Sequence, residues 1–299
     1  MPFDPAYTER TERRRRFRPI PVRMLVPNVI TLLAICAGLT AIRLSTEGRM
    51  ELAVAALVFA AMLDGIDGRV ARMIKGQSKF GAELDSLADF VNFGVAPGLI
   101  LYFWQLHELN NGGWIAAMVF AISGGLRLAR FNASIDDPNK PPFAANFFTG
   151  VPAPAGAITV LLPIYLAFLG TPKPPATLTA LYTLLIGFLM VSRLPVFSGK
   201  TVRLRVPPEM VLPVFVSVVF FIALLIGYPW LILSFGSVLY LLSLPLGWKN
   251  YRDHERSAAA AAAAQAAAAT DAAPPPSPAP AAFAPAAPDA EPERPARLN

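Results

Sequence analysis

Along most of this chain apolar residues fall in runs of about 20, the length an α-helix needs to cross about 30 Å of hydrocarbon, and each run ends in a short polar or basic connection. Eight such runs are read, over residues 25–44, 50–70, 82–104, 114–133, 151–170, 176–196, 209–227 and 229–248. The pattern predicts an all-α integral membrane protein with about eight transmembrane helices. Only "GYP" (Gly227 to Pro229) separates the seventh run from the eighth, a tight turn that makes the pair a C-terminal hairpin.

Composition agrees with the pattern. The 299 residues are 55% hydrophobic and 15% charged, with a mean hydropathy of +0.48, whereas a soluble domain carries about a quarter charged residues. The net charge of +6 does not point to nucleic acid, because the basic residues lie where they set topology. "RTERRRRFRPIPVR" (Arg10 to Arg23) precedes the first run. The second connection holds Arg69, Arg72, Lys75 and Lys79, and the fourth Arg127, Arg130 and Lys140. Arg193, Lys200, Arg203 and Arg205 follow the sixth run, and Lys249, Arg252 and Arg256 the eighth. The alternate connections hold only Arg43, Arg49 and Lys173. This alternation places both termini and the basic loops in the cytoplasm. The first run is long, follows no small-residue cleavage site pattern and is succeeded by others, so it is not read as a cleavable signal. A lone cysteine, Cys36, forms neither an intrachain disulfide nor a redox pair. From Ser257 the chain becomes Ala- and Pro-rich and is expected to form a disordered cytoplasmic tail.

One stretch breaks the apolar rule. "DGIDGRVARMIKGQSKFGAELDSLAD" (Asp64 to Asp89) places four aspartates across the second and third runs. Asp64 and Asp67 are three apart and Asp85 and Asp89 four apart, so each pair shares one helix face. The connection centred near Gln77 makes the two helices antiparallel. At 1.5 Å per residue, Asp67 pairs in depth with Asp85, and Asp64 with Asp89. Four carboxylates then converge about one to three turns below the cytoplasmic surface. Each costs about 2.5–3.5 kcal/mol on insertion scales unless it meets water or a counter-charge. Hard oxygen ligands without His or Cys suit Mg²⁺, Mn²⁺ or Ca²⁺. The stretch lacks the alternating acids and closing Glu of an EF-hand loop. An ion path is disfavoured because the intramembrane acids are confined to one hairpin near one face. A structural scaffold is the remaining bland reading, and it would tolerate Asp→Asn changes.

Asp64-x-x-Asp67-Gly68-x-x-Ala71-Arg72, eight residues, then Gly81-x-x-x-Asp85-x-x-x-Asp89 resembles the signature of the CDP-alcohol phosphatidyltransferase family at every position. The resemblance covers residues 25–200 and implies a six-helix catalytic membrane domain. A basic N-terminal segment (1–24), a C-terminal transmembrane hairpin (201–256) and the tail (257–299) lie outside it. It further implies two divalent ions, Mg²⁺ or Mn²⁺, on Asp64, Asp67, Asp85 and Asp89, with Asp89 also the general base. Gly68, Ala71, Arg72 and Gly81 would hold the CDP-linked lipid. The only histidines, His107 and His254, lie on the outer side and in the tail, which leaves a carboxylate to take the proton. Arg72 offers fixed charge to a pyrophosphate. Asn28 and Thr31 open the first run, where they either contact the nucleotide or cap the helix.

"LDSLADFVNFGVAP", "SGGLRLARFN", "FTGVPAPAGA" and "PNVITL" resemble the branch of the family whose acceptor is L-serine. A serine carboxylate needs a cation, and Arg127 and Arg130 end the fourth run near the depth of the metal site, with Asn132 beside them. Simple positive-inside anchoring is their competing reading. "GGLR" has no P-loop or Rossmann context. The expected reaction joins CDP-diacylglycerol and L-serine. The same chemistry on glycerol 3-phosphate, inositol or choline is the alternative. A homodimer in a bacterial inner membrane is expected by resemblance.

Overall fold

The computed structural model describes residues 22–74, 78–134, 147–192, 194–197 and 210–271. Two long helices come first, α1 (Val22–Thr46) and α2 (Met50–Met73), joined by a turn in which Gly48 takes a positive φ. They lie against each other along their length, with Ala34, Ala41, Ala53, Val54, Leu57 and Ala60 buried. Small side chains there let two backbones approach, as membrane helices require when hydrocarbon offers no hydrophobic drive between them.

The third apolar run is not one regular helix. It forms α3 (Lys79–Asp89), a π-helical turn over Phe90–Val95, and α4 (Ala96–Trp104). Pro97 supplies the reason. Its nitrogen has no hydrogen to give the Phe93 carbonyl and its ring crowds that oxygen, so the turn before it widens. Ala96 accordingly donates five residues back, to Val91. The widened segment packs on α5 (Asn111–Ala133) through glycines. A Cβ on Gly124 would stand 3.0 Å from the Gly94 Cα, and one on Gly98 3.0 Å from the Ala117 carbonyl.

A second proline divides the fifth run into α6 (Ala153–Val160) and α7 (Leu162–Phe168). Pro163 cannot serve the Thr159 carbonyl, and the Tyr182 hydroxyl of α8 (Ala176–Val191) donates to it instead at 2.6 Å. The Tyr165 hydroxyl donates to the Ile158 carbonyl at 3.0 Å. Backbone freed by a proline at membrane depth is satisfied by side chains because no water is there to do it. Around these elements lies the core, including Phe93, Ile100, Phe120, Ile164, Tyr165, Ile186 and Met190. Two three-residue strands, β1 (Phe147–Thr149) and β2 (Pro195–Phe197), pair antiparallel, an addition to the expected all-helical pattern. At the opposite end, Gln105 donates to the Pro174 carbonyl at 2.6 Å and accepts from Thr179 at 3.0 Å, tying α4 to α8.

The last two elements are α9 (Val211–Gly227) and α10 (Pro229–Asp271). They meet at a bend of 114°, so the expected tight hairpin is splayed. Trp230 stacks on Tyr165 at 6.5 Å and packs on Phe168 at 4.6 Å, which docks the start of α10 on the core. The chain divides into two units between Tyr251 and Arg252. The second begins with the Ala-rich continuation of α10, helical to Asp271, and the Pro-rich remainder of the expected tail, 272–299, lies outside the described residues. Alanine, the best helix former, prolongs a helix that is already nucleated.

Each of the eight expected runs overlaps helix among the described residues, the sixth ending in β2. By length and composition, three of the described stretches qualify as membrane spans, Leu25–Thr46, Lys79–Trp104 and Asn111–Ala133, with the bent α9–α10 pair a fourth. Ala153–Phe168 and Ala176–Val191 are shorter. At 24 residues α2 is long enough, but Glu51, Asp64, Asp67, Arg69 and Arg72 make it too charged to be read as a plain span. The count of eight thus rests on apolar stretches and not on eight full-length helices. Exposed Leu, Val and Phe side chains on α1, α8 and α9 form surface suited to hydrocarbon.

Candidate active site

α2 carries Asp64 and Asp67 toward its C-terminal end, and α3 returns with Asp85 and Asp89. The connection at 75–77 lies outside the described residues. α3 starts at a formed cap, where the Gly81 N–H donates to the Ser78 hydroxyl at 2.9 Å. That bond fixes where the first turn of α3 begins and hence the direction in which its aspartates project.

Carboxylate oxygens of Asp64, Asp67 and Asp85 all lie within 4.8 Å of one another. The Asp89 and Asp64 carboxyl groups are within hydrogen-bonding reach of each other. All four predicted carboxylates therefore meet. Asp67 is 2% exposed, and the Thr31 hydroxyl of α1 stands 2.7 Å from its Oδ2 and 3.1 Å from the Pro27 carbonyl. One hydroxyl hydrogen serves one acceptor at a time, and the shorter, charge-assisted contact is the stronger. The other Asp67 oxygen, Oδ1, is buried without a hydrogen-bond partner among the described residues, as is Oδ1 of Asp64. Among the described residues the ion pairs are Arg43 with Glu47 and Arg49 with Glu47, so none of the four aspartates is paired.

Buried carboxylate oxygens are costly to leave without a partner. A cluster of several, all oxygen and with no cation bonded to it among the described residues, suits a hard divalent ion. The donor set fits Mg²⁺ or Mn²⁺.

Beside the cluster opens a pocket of about 230 Å³ between α1, α2 and α3. Asn28, Thr31, Gly68, Ala71, Arg72 and Gly81 line it together with Asp67 and Asp85, so the residues predicted to hold the CDP-linked lipid share one cavity. Pro27, Ser78 and Ala82 complete the wall and were not singled out from the sequence. The glycines differ in purpose. A Cβ on Gly81 would stand 2.8 Å from Asn28 Oδ1, so that glycine lets α1 and α3 close on each other. A Cβ on Gly68 would meet only Arg72 Nη1 at 3.9 Å, so that glycine keeps the cavity itself open.

The three acceptor candidates end in different places. Arg127 is buried at 9% exposure, within electrostatic range of Asp89 and over the Phe131 ring at 5.6 Å. Arg130 donates to the Val191 carbonyl at 2.6 Å and so closes the end of α8. Asn132 donates to the Ser86 hydroxyl at 3.0 Å, linking α5 to α3.

Comparison with known proteins decides the family. The profile of CDP-alcohol phosphatidyltransferases matches residues 24–197, more than half of the chain. The chain belongs to the CDP-alcohol phosphatidyltransferase family. A second profile, CDP-alcohol phosphatidyltransferase 2, matches residues 209–245, over α9 and the apolar part of α10. Three similar proteins all carry the name CDP-diacylglycerol–serine O-phosphatidyltransferase. The one from Mycobacterium leprae is 38% identical over 244 residues, 81% of this chain and 80% of that protein. The one from Mycobacterium bovis is 50% identical over 137 residues, about half of each chain at 46% and 48%. The one from Bacillus subtilis is 37% identical over 148 residues, 48% of this chain and 80% of that protein. Within the first profile fall the aspartate cluster, the pocket and Arg127. In this chain the signature residues lie on α2 and α3, with Thr31 of α1 bonded to Asp67.

Proposed function

We propose that this chain transfers the phosphatidyl group of CDP-diacylglycerol to L-serine, releasing CMP. The observation that carries the reading is the meeting of Asp64, Asp67 and Asp85 within 4.8 Å beside a pocket walled by Asn28, Gly68, Ala71, Arg72 and Gly81. The names of the similar proteins support serine as the acceptor.

In this reading Asp64, Asp67, Asp85 and Asp89 would hold two Mg²⁺ or Mn²⁺ ions. Bound there, the ions supply stabilisation of charge on the attacking and leaving oxygens of a phosphoryl centre. The remaining work belongs to the chain. Asn28, Thr31, Gly68, Ala71 and Gly81 shape the cavity that receives the CDP moiety. Arg72, an exposed residue of its wall, offers positive charge to the pyrophosphate. Asp89 accepts the proton of the serine hydroxyl as that oxygen bonds to phosphorus and the bond to the CMP oxygen breaks. No covalent enzyme intermediate is needed. Of the acceptor candidates, Arg127 receives the serine carboxylate, since Arg130 is engaged by Val191 and Asn132 by Ser86.

The arginine distribution supports a site and both termini on the cytoplasmic side of a bacterial inner membrane. A homodimer belongs to the same reading by family resemblance. Purified protein supplied with CDP-diacylglycerol and labelled L-serine should yield labelled phosphatidylserine and equimolar CMP. EDTA should stop both, and Mg²⁺ or Mn²⁺ should restore them. Glycerol 3-phosphate, inositol and choline run in parallel should give at most background. No serine incorporation would end the serine reading, and a trapped phosphatidyl-enzyme would end direct displacement.

A further inference from the structure

At the end where Gln105 ties α4 to α8, away from the aspartates, α7 and α8 flank a second cavity of about 320 Å³, near the small end of the range for ligand pockets. Leu162 and Leu166 line it from α7, Leu178 and Tyr182 from α8, and Pro172 and Pro174 from the connection between them. The Tyr182 hydroxyl on its wall is engaged by the Thr159 carbonyl and the Thr179 hydroxyl by Gln105. The prolines have no N–H to offer. Such a lining gives water few partners and suits an apolar ligand.

The cavity lies at hydrocarbon depth because its helices are short. Arg130 holds the Val191 carbonyl at 2.6 Å and so levels the inner ends of α5 and α8. From there α8, 16 residues long, rises about 24 Å, about 6 Å less than the hydrocarbon is thick. Leu178, Leu181, Leu185 and Phe188 are exposed along one face of α8, an apolar track that reaches the cavity at Leu178. A cation stands at the same end. Lys173 lies between the two lining prolines, its ammonium over the Trp104 ring at 5.4 Å, and it makes no ion pair among the described residues.

We infer that this cavity binds an anionic phospholipid of the leaflet opposite the aspartates, with one acyl chain between α7 and α8 and the phosphate paired with Lys173. Charge complementarity selects the occupant. Apolar walls beside an unneutralised cation match an amphiphile with an anionic head, and neither a neutral hydrocarbon nor a polar small molecule uses both features. The lipid fills the space that short helices leave beneath the headgroups. Trp104 and the lysine stem span the change from hydrocarbon to headgroup, as aromatic and long basic side chains do at that boundary. The site is separate from the catalytic cavity and does not depend on which acceptor the enzyme uses.

The test places a bimane fluorophore on Leu181→Cys, one turn from Leu178, in full-length protein whose only native cysteine is replaced by Cys36→Ser. The protein is reconstituted in vesicles of phosphatidylcholine and phosphatidylglycerol, with brominated acyl chains on one lipid at a time as quencher. A lysine facing an anionic lipid corresponds to about a fivefold preference. Brominated phosphatidylglycerol should therefore quench as if enriched about fivefold over its share of the vesicle. Lys173→Gln should abolish the enrichment. Leu178→Trp, which fills the cavity from its wall, should abolish it with Lys173 intact, and Thr171→Trp on the connection serves if that variant fails to fold. Equal quenching by the two lipids, or an enrichment that survives Lys173→Gln or the filled cavity, would overturn the inference. A fluorophore quenched by neither lipid would also overturn it, since protein would then cover the cavity. No acceptor is present in the measurement, so failure of the serine reading would leave its outcome unaffected.

Discussion

At the scale of single residues, the site depends on which carboxylate oxygens are held and which are left open. Thr31 bonds one oxygen of Asp67 at 2.7 Å and leaves the other without a partner. It thereby orients a proposed ligand, as outer-shell groups do around metals generally, where their loss costs about 10–100-fold in affinity or activity. Thr31→Val keeps the shape and removes the donor. Its half-saturating Mn²⁺ concentration, read by the electron paramagnetic resonance of free Mn²⁺ without lipid substrate, should rise about tenfold, and Thr31→Ser should restore it. Unaltered Mn²⁺ binding in Thr31→Val would confine Thr31 to the nucleotide role expected from sequence. From sequence the position reads as a nucleotide contact or a helix cap: a Thr near the start of a helix is visible there, but its partner 36 residues away is not.

At the scale of elements, prolines interrupt runs that hydropathy alone draws as continuous. Pro97 widens the turn after Asp89, and Pro163 breaks the fifth run at a carbonyl that Tyr182 then satisfies. Tyr182→Phe removes that donor and strands the Thr159 oxygen in a dry interior. A loss of about 1–3 kcal/mol in stability is expected, measured by thermal or denaturant unfolding in detergent, with KM values for both substrates unchanged. A midpoint equal to wild type would show that the oxygen finds another partner. The existence and order of the helices were legible because apolar runs near 20 residues have few other solutions. The breaks were less so. Their sites are marked by proline, but whether a proline kinks, widens or divides a helix depends on which side chain reaches the freed carbonyl, and that side chain comes from another helix.

At the scale of the whole molecule, function is concentrated in one part of the chain. The aspartates, the pocket and Arg127 all precede Tyr251, and the second unit begins at Arg252. A chain ended before Ser257 should therefore retain turnover within about twofold of the full-length protein in the serine assay, since nothing proposed for catalysis is removed. A large loss would assign the Ala-rich helix a part in folding or assembly. Charge patterning belongs to this scale too, because the alternation of basic connections concerns the chain's orientation in a bilayer and not any single contact.

By itself the sequence determined the class of the protein, the order of its helices and the aspartate pattern, because hydrocarbon tolerates few alternatives to apolar helices and charged residues within them demand a reason. Helical spacing also placed Asp64 with Asp67, and Asp85 with Asp89, on shared faces. Tertiary structure alone decided that all four meet, that Thr31 holds Asp67, and that Arg127 turns inward while Arg130 and Asn132 engage Val191 and Ser86. Such pairings depend on the rotation of each helix about its axis, and that rotation is set by how glycines, prolines and aromatic side chains from separate helices fit against one another.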